Sequence, residues 1–317
     1  MCPSTNAPPL LWNGRRYYSL DCYLKQTFHE KLYKLSLNGG MTCPNRDGTL
    51  GFGGCIFCSA GGSGDFAADA RLPVDDQIAQ AKAAVSRKFT GERYIAYFQA
   101  FTNTYAPAEQ LERLFLPVIQ RDDIAVLSIA TRPDCLEEDK LTLLARLNRI
   151  KPVWVELGLQ TIHPSTAQYI RRGYALDCYD TAVRHLKAIG VHVIVHTILG
   201  LPHETRDDML QTAAYVAQSG ADGIKLQLLH ILDGTPLADD YRNGKVPVMT
   251  EEDYLMTVTD ILAILPPTMV IHRLTGDGDK RLLLAPRWSG DKRHVLNAIN
   301  RQLKVRNLYQ GALYCDA

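Results

Sequence analysis

Apolar and polar residues along this chain are arranged in blocks that switch between two periods. Alternating or continuously apolar stretches occur at "YKLSL" (33–37), "YIAYFQ" (94–99), "AVLSIAT" (125–131), "VWVELGL" (153–159), "HVIVHTIL" (192–199) and "GIKLQLLHI" (223–231). Each predicts a strand. Between them, at about 75–89, 107–119, 137–149, 176–189 and 204–219, apolar residues return every three or four positions and predict helices. Strands and helices in alternation imply parallel strands joined by right-handed crossovers. Six such units fall short of a closed eight-fold barrel. The expected fold class is therefore α/β, either a partial (β/α)6 TIM-like barrel or an open doubly wound sheet.

After the sixth strand the rhythm changes. "TEEDYLMTVTDILAIL" predicts a helix capped at Thr250, "TMVIHRL" a last strand, and "SGDKRHVLNAINRQLKV" a final helix. This divides the chain into an N-terminal extension (1–30), a core (31–235) and a C-terminal α/β extension (236–317).

Strand alternation assigns faces. On the fourth strand Val153, Val155, Leu157 and Leu159 share one face, and Trp154, Glu156, Gly158 and Gln160 the other. Tyr97 and Gln99 share a face of the second strand, and Lys225 and Gln227 a face of the sixth. The aliphatic faces suit packing helices. The opposite faces carry isolated polar groups, which are expensive to bury without a partner or ligand. Polar or glycine-bearing stretches follow every strand, at the ends where parallel α/β folds place their sites.

Composition adds limits. Apolar content of 46% and charged content of 22% are globular values. No apolar run is long enough for a membrane span. The first residues lack the basic start and apolar stretch of a secretory signal, so a cytoplasmic location and reduced cysteines are expected. Net charge is only +1, but Val270–Arg306 holds nine Lys/Arg against three Asp, so that segment is +6 and the remainder −5. Such a segment suits a phosphate backbone or a solvated helix face.

The densest chemistry is "CPNRDGTLGFGGCIFC", with Cys43, Cys55 and Cys58 in a C-x11-C-x2-C spacing. A structural zinc site needs a fourth ligand, and none has a suitable offset. A redox pair would use Cys55 and Cys58 and leave Cys43 idle. An iron–sulfur cluster held by three thiolates keeps one iron open for a substrate or cofactor. Gly48, Gly51, Gly53 and Gly54 would let the loop wrap a bulky group, with Phe57 shielding it. Cys2, Cys22, Cys178 and Cys315 read as ordinary thiols, and Cys135, just past a strand end, as either a thiol that reaches the site or a buried one.

A three-cysteine loop after the first strand of such a chain resembles the radical S-adenosylmethionine (SAM) superfamily, though the usual spacing there is C-x3-C-x2-C. With "GSGDF", "YFQAFTNTYAP", "SIATRPDCL", "WVELGLQTIH", "RRGY", "LGLPHE", "GIKLQLLHILDGTPLA" and "IHRLTGDG", the chain is similar over nearly its whole length to the YtqA/YhcC-type radical SAM proteins. "RRGY" and "DGIKLQLLHILDGTPL" also resemble the radical SAM domain of the Elongator catalytic subunit, which modifies wobble uridines in tRNA. The resemblance implies that Cys43, Cys55 and Cys58 hold a 4Fe–4S cluster whose fourth iron is chelated by SAM. One-electron reduction then yields methionine and a 5′-deoxyadenosyl radical. It implies cofactor-binding roles for Gly61, Gly62, Ser63, Glu156, Gln160, Arg172 and Lys225. Glu156 and Lys225 are also the catalytic candidates. For each there is a plainer alternative: a simple turn at Gly61–Gly64, a buried polar pair at Glu156 and Gln160, a surface arginine at Arg172, and an ion pair between Lys225 and Glu156. Asn103 and Tyr105 are candidates for shaping a substrate pocket, and His196 and His230 read as satisfied histidines. His203 stands where relatives carry glycine, which leaves the turn type open.

The function expected from the resemblance is a change at the 5-substituent of a tRNA wobble uridine, of the carboxymethylaminomethyl-to-aminomethyl type, with a flavodoxin- or ferredoxin-like reductant. The alternatives are a radical SAM enzyme with a small-molecule substrate and a non-catalytic iron–sulfur or zinc module.

Overall fold

The structure, a computed structural model, describes residues 9–62, 64–276 and 278–315. Cys2 and Ser63, named above, lie outside the described residues. In chain order the elements are α1 (Leu20–Phe28), β1 (Tyr33–Leu37), α2 (Val74–Val85), β2 (Tyr94–Phe98), α3 (Ala108–Gln120), β3 (Ile124–Thr131), α4 (Glu138–Asn148), β4 (Val153–Gln160), α5 (Pro164–Tyr169), α6 (Leu176–Ala188) and β5 (His192–Leu199). They continue with α7 (Arg206–Gln218), β6 (Gly223–Leu228), β7 (Ile231–Leu232), α8 (Pro236–Arg242), α9 (Glu251–Ile264), β8 (Val270–Arg273), β9 (Leu283–Ala285) and α10 (Lys292–Val305).

The main sheet has seven strands in the order β1-β2-β3-β4-β5-β6-β8. Strand order follows chain order, and the pairs β1–β2, β2–β3, β3–β4 and β6–β8 are parallel. β1 and β8 are its two edges, so the sheet is open, as a partial barrel requires. The stretch "TMVIHRL" supplies the seventh strand. One strand expectation is corrected: "GIKLQLLHI" is not a single strand to 231. β6 stops at Leu228, and Ile231–Leu232 pairs antiparallel with β9 in a separate two-stranded sheet. The break is set by contacts from segments distant in the chain. The Leu229 N–H turns to the Leu199 carbonyl at 2.9 Å, and the His230 ring accepts from the Gly278 N–H at 3.2 Å. Three short helices, α1, α5 and α8, had no clear periodic signal.

By contact the chain forms two compact units, and each draws on separate stretches of the sequence. The first comprises Leu24–Leu159 and Arg171–Ile194. Its aliphatic face is fully buried. Leu35, Leu37, Ala96, Phe98, Leu127, Ile129, Val155 and Leu157 are each at most 1% exposed. Phe98 meets Phe115 of α3 edge-on at 4.9 Å, a geometry favoured by the ring quadrupoles.

The second unit comprises Met1–Tyr23, Gln160–Ile170 and Val195–Ala317. α7, α9 and α10 pack together in it. Thr250 caps α9 by accepting from the Asp253 N–H at 3.1 Å, as the sequence predicts. Thr205 and Asp208 form a capping box on α7. The ends of the unit are strapped by Gln310, which is fully buried. Its amide accepts from the Tyr18 N–H at 2.8 Å and donates to the Pro266 and Met269 carbonyls at 2.6 and 2.7 Å. Among the described residues no helix is long and apolar enough to cross a membrane.

Candidate active site

The loop after β1 carries the cysteines, all in the first unit. It is shaped by backbone conformation and by one asparagine. Gly48, Gly53 and Gly54 have left-handed φ of 94°, 82° and 81°, as the wrapping loop requires, whereas Gly51 does not. Asn45 is buried and donates through Nδ2 to the Arg171 and Arg172 carbonyls at 2.7 and 3.1 Å. The same amide lies 3.5 Å from the Cys55 sulfur. So Asn45 ties the cysteine loop to the "RRGY" segment. Gly173 makes that approach possible: a Cβ there would lie 2.5 Å from Asn45 Oδ1.

The thiols are electrostatically biased. Cys55 is held down to about 7, first by a hydrogen bond from the Cys58 thiol, with help from Asn45 and the charges of Arg132 and Arg46. Cys58 is pushed up by that same bond and by burial. Cys43 lies within the electrostatic reach of both Cys58 and Arg132. Three soft sulfur donors, one already biased toward thiolate, are the right donor set for an iron–sulfur cluster. Among the described residues no three His, Cys, Asp or Glu side chains are arranged to hold a single metal ion.

Two arginines brace this rim. Arg132 in "TRPDC" forms a two-pronged pair with Asp134 at 2.9 and 2.6 Å, and donates to the Arg172 carbonyl at 2.8 Å. Arg172 is 3% exposed, which corrects the surface-arginine alternative. Its guanidinium donates to the Leu159 carbonyl at 3.1 Å and to the Tyr174 carbonyl at 3.2 and 3.0 Å, and lies 4.5 Å from the Tyr174 ring centroid. The Tyr174 hydroxyl donates to the Gly158 carbonyl. Burial raises Tyr174 and lowers Arg172 from their ordinary values.

Glu156 is 1% exposed on the polar face of β4. Lys34 Nζ meets it at 2.6 Å and the Ser128 hydroxyl donates to it at 2.9 Å. The Lys34 ammonium also lies 4.5 Å from the Tyr97 ring centroid. The register puts Lys34 and Ser36 of β1 on the same face as Tyr97 and Ser128. The lysine partner was legible in that alternation.

The remaining candidates fall as follows. Gly62 is left-handed, and a Cβ on it would sit 2.9 Å from the Phe101 ring. A Cβ on Gly61 would sit 2.7 Å from Asp65 Oδ1. The Ser59 hydroxyl pins this turn through Asp65 at 2.6 Å and the Gly62 carbonyl at 3.1 Å. Asn103 is fully buried, with Nδ2 on the Phe98 and Ala130 carbonyls at 3.1 and 2.9 Å. It braces the ends of β2 and β3. Tyr105 shares a 2.8 Å hydrogen bond with Thr49. Cys135 is 3% exposed, and burial raises its thiol, consistent with an inert position.

Gln160 and Lys225 belong to the second unit. Gln160 ends β4 with a left-handed φ of 68°, and its Oε1 is a buried oxygen without a partner among the described residues. A non-glycine residue held there is a strained backbone position. Lys225 is 3% exposed on β6. In the same unit His203 keeps a left-handed φ of 68°, so the turn retains the glycine conformation despite the substitution. His203 then packs edge-on to Tyr169 at 5.1 Å. His230 accepts from Gly278 N–H on Nδ1 and meets the Ser289 hydroxyl at 3.0 Å on Nε2, so both ring nitrogens are satisfied.

An open parallel α/β sheet with a three-thiol loop after its first strand defines an iron–sulfur enzyme class. The profile of the radical SAM superfamily matches residues 43–216, and that of the radical SAM C-terminal domain residues 221–305. The chain belongs to the radical SAM superfamily and is a radical SAM enzyme. It is 47% identical to YtqA of Bacillus subtilis (strain 168) over 300 residues, 95% of this chain and 93% of that protein. It is 25% identical over 154 residues, 48% of this chain and 28% of the relative, to tRNA uridine(34) acetyltransferase of Methanocaldococcus jannaschii. Among solved structures, the archaeal Methanocaldococcus infernus Elp3 with an N-terminal deletion (1-46) aligns with a TM-score of 0.67 at 15% identity. That alignment covers 88% of this chain and 64% of the Elp3 chain, just under two thirds of its length. The likeness confirms the partial-barrel fold class. Members of the superfamily bind a 4Fe–4S cluster and SAM, and the cysteine loop fits that pair by its donor set.

Proposed function

We propose that this radical SAM enzyme acts on tRNA, at the 5-substituent of the wobble uridine, converting a carboxymethylaminomethyl group to aminomethyl. The observation that carries the reading is the similarity to a relative named for uridine 34 of tRNA. The +6 segment at Val270–Arg306 supports it.

Cys43, Cys55 and Cys58 would hold the cluster, leaving one iron for SAM. When bound, this pair supplies one-electron cleavage of SAM and a radical able to take a hydrogen atom from an unactivated C–H bond. The chain's own residues set the stage. Asn45 and Arg132 hold the cysteine loop against "RRGY", so the thiols are positioned before the cluster binds. Arg172 and Tyr174 anchor that segment to the end of β4. Glu156 is kept in place by Lys34 and Ser128, so any donor reaching its second oxygen meets a preorganised acceptor. Gln160 offers a buried carbonyl oxygen for a ligand N–H or O–H. A flavodoxin- or ferredoxin-like protein would deliver the electron.

The test is nucleoside analysis of tRNA from a strain lacking the protein. Accumulation of the carboxymethylaminomethyl nucleoside, reversed by wild-type protein and not by Cys55→Ala, is expected. An unchanged nucleoside profile, with 5′-deoxyadenosine still formed by the purified enzyme, would overturn the tRNA substrate in favour of a small molecule.

A further inference from the structure

Resting on that tRNA reading, we propose that a groove along α10 is the surface that receives the RNA phosphate backbone. The groove lies wholly within the second unit and has a volume of about 580 Å³. Lys292, Arg293, Asn297, Asn300 and Lys304 of α10 line it, together with Arg15 from the other end of the chain. Their spacing is helical, so one stripe of α10 faces the groove. From Lys292 to Lys304 that stripe runs about 18 Å at 1.5 Å per residue, enough for several phosphates.

Arg15 is placed by a tight turn. Trp12 and Arg15 exchange both backbone hydrogen bonds, at 2.8 and 2.9 Å, around Asn13 and Gly14, whose φ values are 49° and 77°. The strap continues through Arg16, which donates to the Leu308 carbonyl at 3.1 Å just beyond α10. The two distant segments are thus fixed as one surface.

Four cations and no carboxylate line the groove. Elsewhere in the same basic segment, two arginines meet carboxylates of the protein itself. Arg306 is held by Asp260 and Thr259, both at 2.6 Å, and Arg281 by Asp279 at 2.6 Å. Lys292 is pressed down to about 8, first by desolvation and then by the nearby charge of Arg273. An incoming anion relieves that crowding. Asn297 adds amide donors and an acceptor, suited to phosphate and ribose oxygens. Leu296 is the lone apolar side chain of the lining, so the lining itself is suited to the polar, anionic backbone of RNA.

The experiment titrates cluster-loaded wild-type enzyme and an Arg293→Gln/Lys304→Gln double variant with unmodified tRNA transcript, from roughly 50 to 200 mM salt. The variant is expected to bind at least about tenfold more weakly, with a salt slope shallower by about 2, one per phosphate contact removed. Thermal melts confirm that both proteins are folded. If wild type binds with a steep salt slope and the variant matches it, the groove assignment fails while the tRNA reading stands. If wild type shows no salt-dependent binding, the groove fails as an RNA surface, and the nucleoside analysis above decides separately whether tRNA is the substrate. Phosphatidylserine vesicles are the remaining arm. Vesicle binding lost in the variant with RNA binding intact would overturn the inference in favour of a membrane surface.

Discussion

The arginines of the cysteine rim and the cations of the α10 groove carry the same charge and have opposite destinations. Arg132 and Arg172 are 8% and 3% exposed and are directed at backbone carbonyls, Asp134 and an aromatic ring. They hold two segments of chain together around three thiols. Arg293 and Lys304 are exposed along one stripe of a helix whose other face is buried through Val295, Ala298, Ile299 and Leu303. Composition could not separate these groups. What separates them is whether the cation's hydrogen bonds close inside the protein. A closed set makes a brace, whose loss costs stability. An open set makes a surface, whose loss costs binding.

The largest break in that comparison should come from Lys34. It is the partner of Glu156, whose side chain is fully buried. Lys34→Met removes the ammonium that compensates this buried carboxylate, and should cost about 3–5 kcal/mol in chemical denaturation. A loss below about 1 kcal/mol would show that the pair is not what holds Glu156.

Next in size is His230, a closed site inside the unit that carries the open groove. Burial, then the charges of Lys292 and Arg273, pull its imidazole down to about 4. That is below the ordinary value near 6.5, so the folded protein favours the neutral ring. The unfolded chain takes up the proton first as pH falls. The stability His230 contributes is therefore whole above about pH 6.5 and is lost as pH drops toward 4, by about 3 kcal/mol in total. His230→Asn keeps an acceptor for the Gly278 N–H and removes the titration. The difference between the two proteins' unfolding free energies should shrink steadily between pH 6.5 and 4. A constant difference would refute the assignment.

Two glycines sharpen the contrast further. Gly173 at the rim and Gly14 beside the groove both have left-handed φ, 86° and 77°. A Cβ on Gly173 strikes Asn45 Oδ1, while one on Gly14 meets nothing within 4 Å. Gly14→Ala should cost about 1 kcal/mol, the backbone penalty alone. Gly173→Ala should cost about 2 kcal/mol or more and also lower the iron bound per chain, because Asn45 must leave the cysteine loop. Equal costs would mean the rim is not braced at that point.

How much of this was legible depends on where the information sits. The strands and long helices were, because their apolar period is local and strong. β1 and β5 fall on the residues the pattern gave. The short helices α5 and α8 were not, since two turns are too few for a period to show. The end of β6 was hidden as well: "LLHI" continues an apolar run, and only the glycine-rich segment near Gly276 and Gly278, far along the chain, draws His230 out of the strand. The cysteine ligands were visible as a spacing. Their supports were not, because Asn45, Arg132 and Gly173 come together only through the fold. Gln160 was named for its side, but its left-handed backbone and unpartnered oxygen are properties of the strand end.

The smallest expected effect is also the most direct test of the opening contrast. Lys304 and Arg306 are two residues apart at the end of one helix and point to different fates. Arg306 reaches Asp260 and Thr259, and Asp260 also receives Arg206. Lys304 faces the groove. Arg306→Gln should cost about 1–2 kcal/mol, since charge-assisted bonds are broken and the half-buried Asp260 keeps only one cation. Lys304→Gln should change stability by less than about 0.5 kcal/mol, as an exposed substitution away from any brace does. The binding result should invert this order: RNA affinity and its salt slope fall for Lys304→Gln and hold for Arg306→Gln. If stability and binding instead move together in both variants, closed and open hydrogen-bond sets do not distinguish brace from surface here, and the division drawn between the two regions fails.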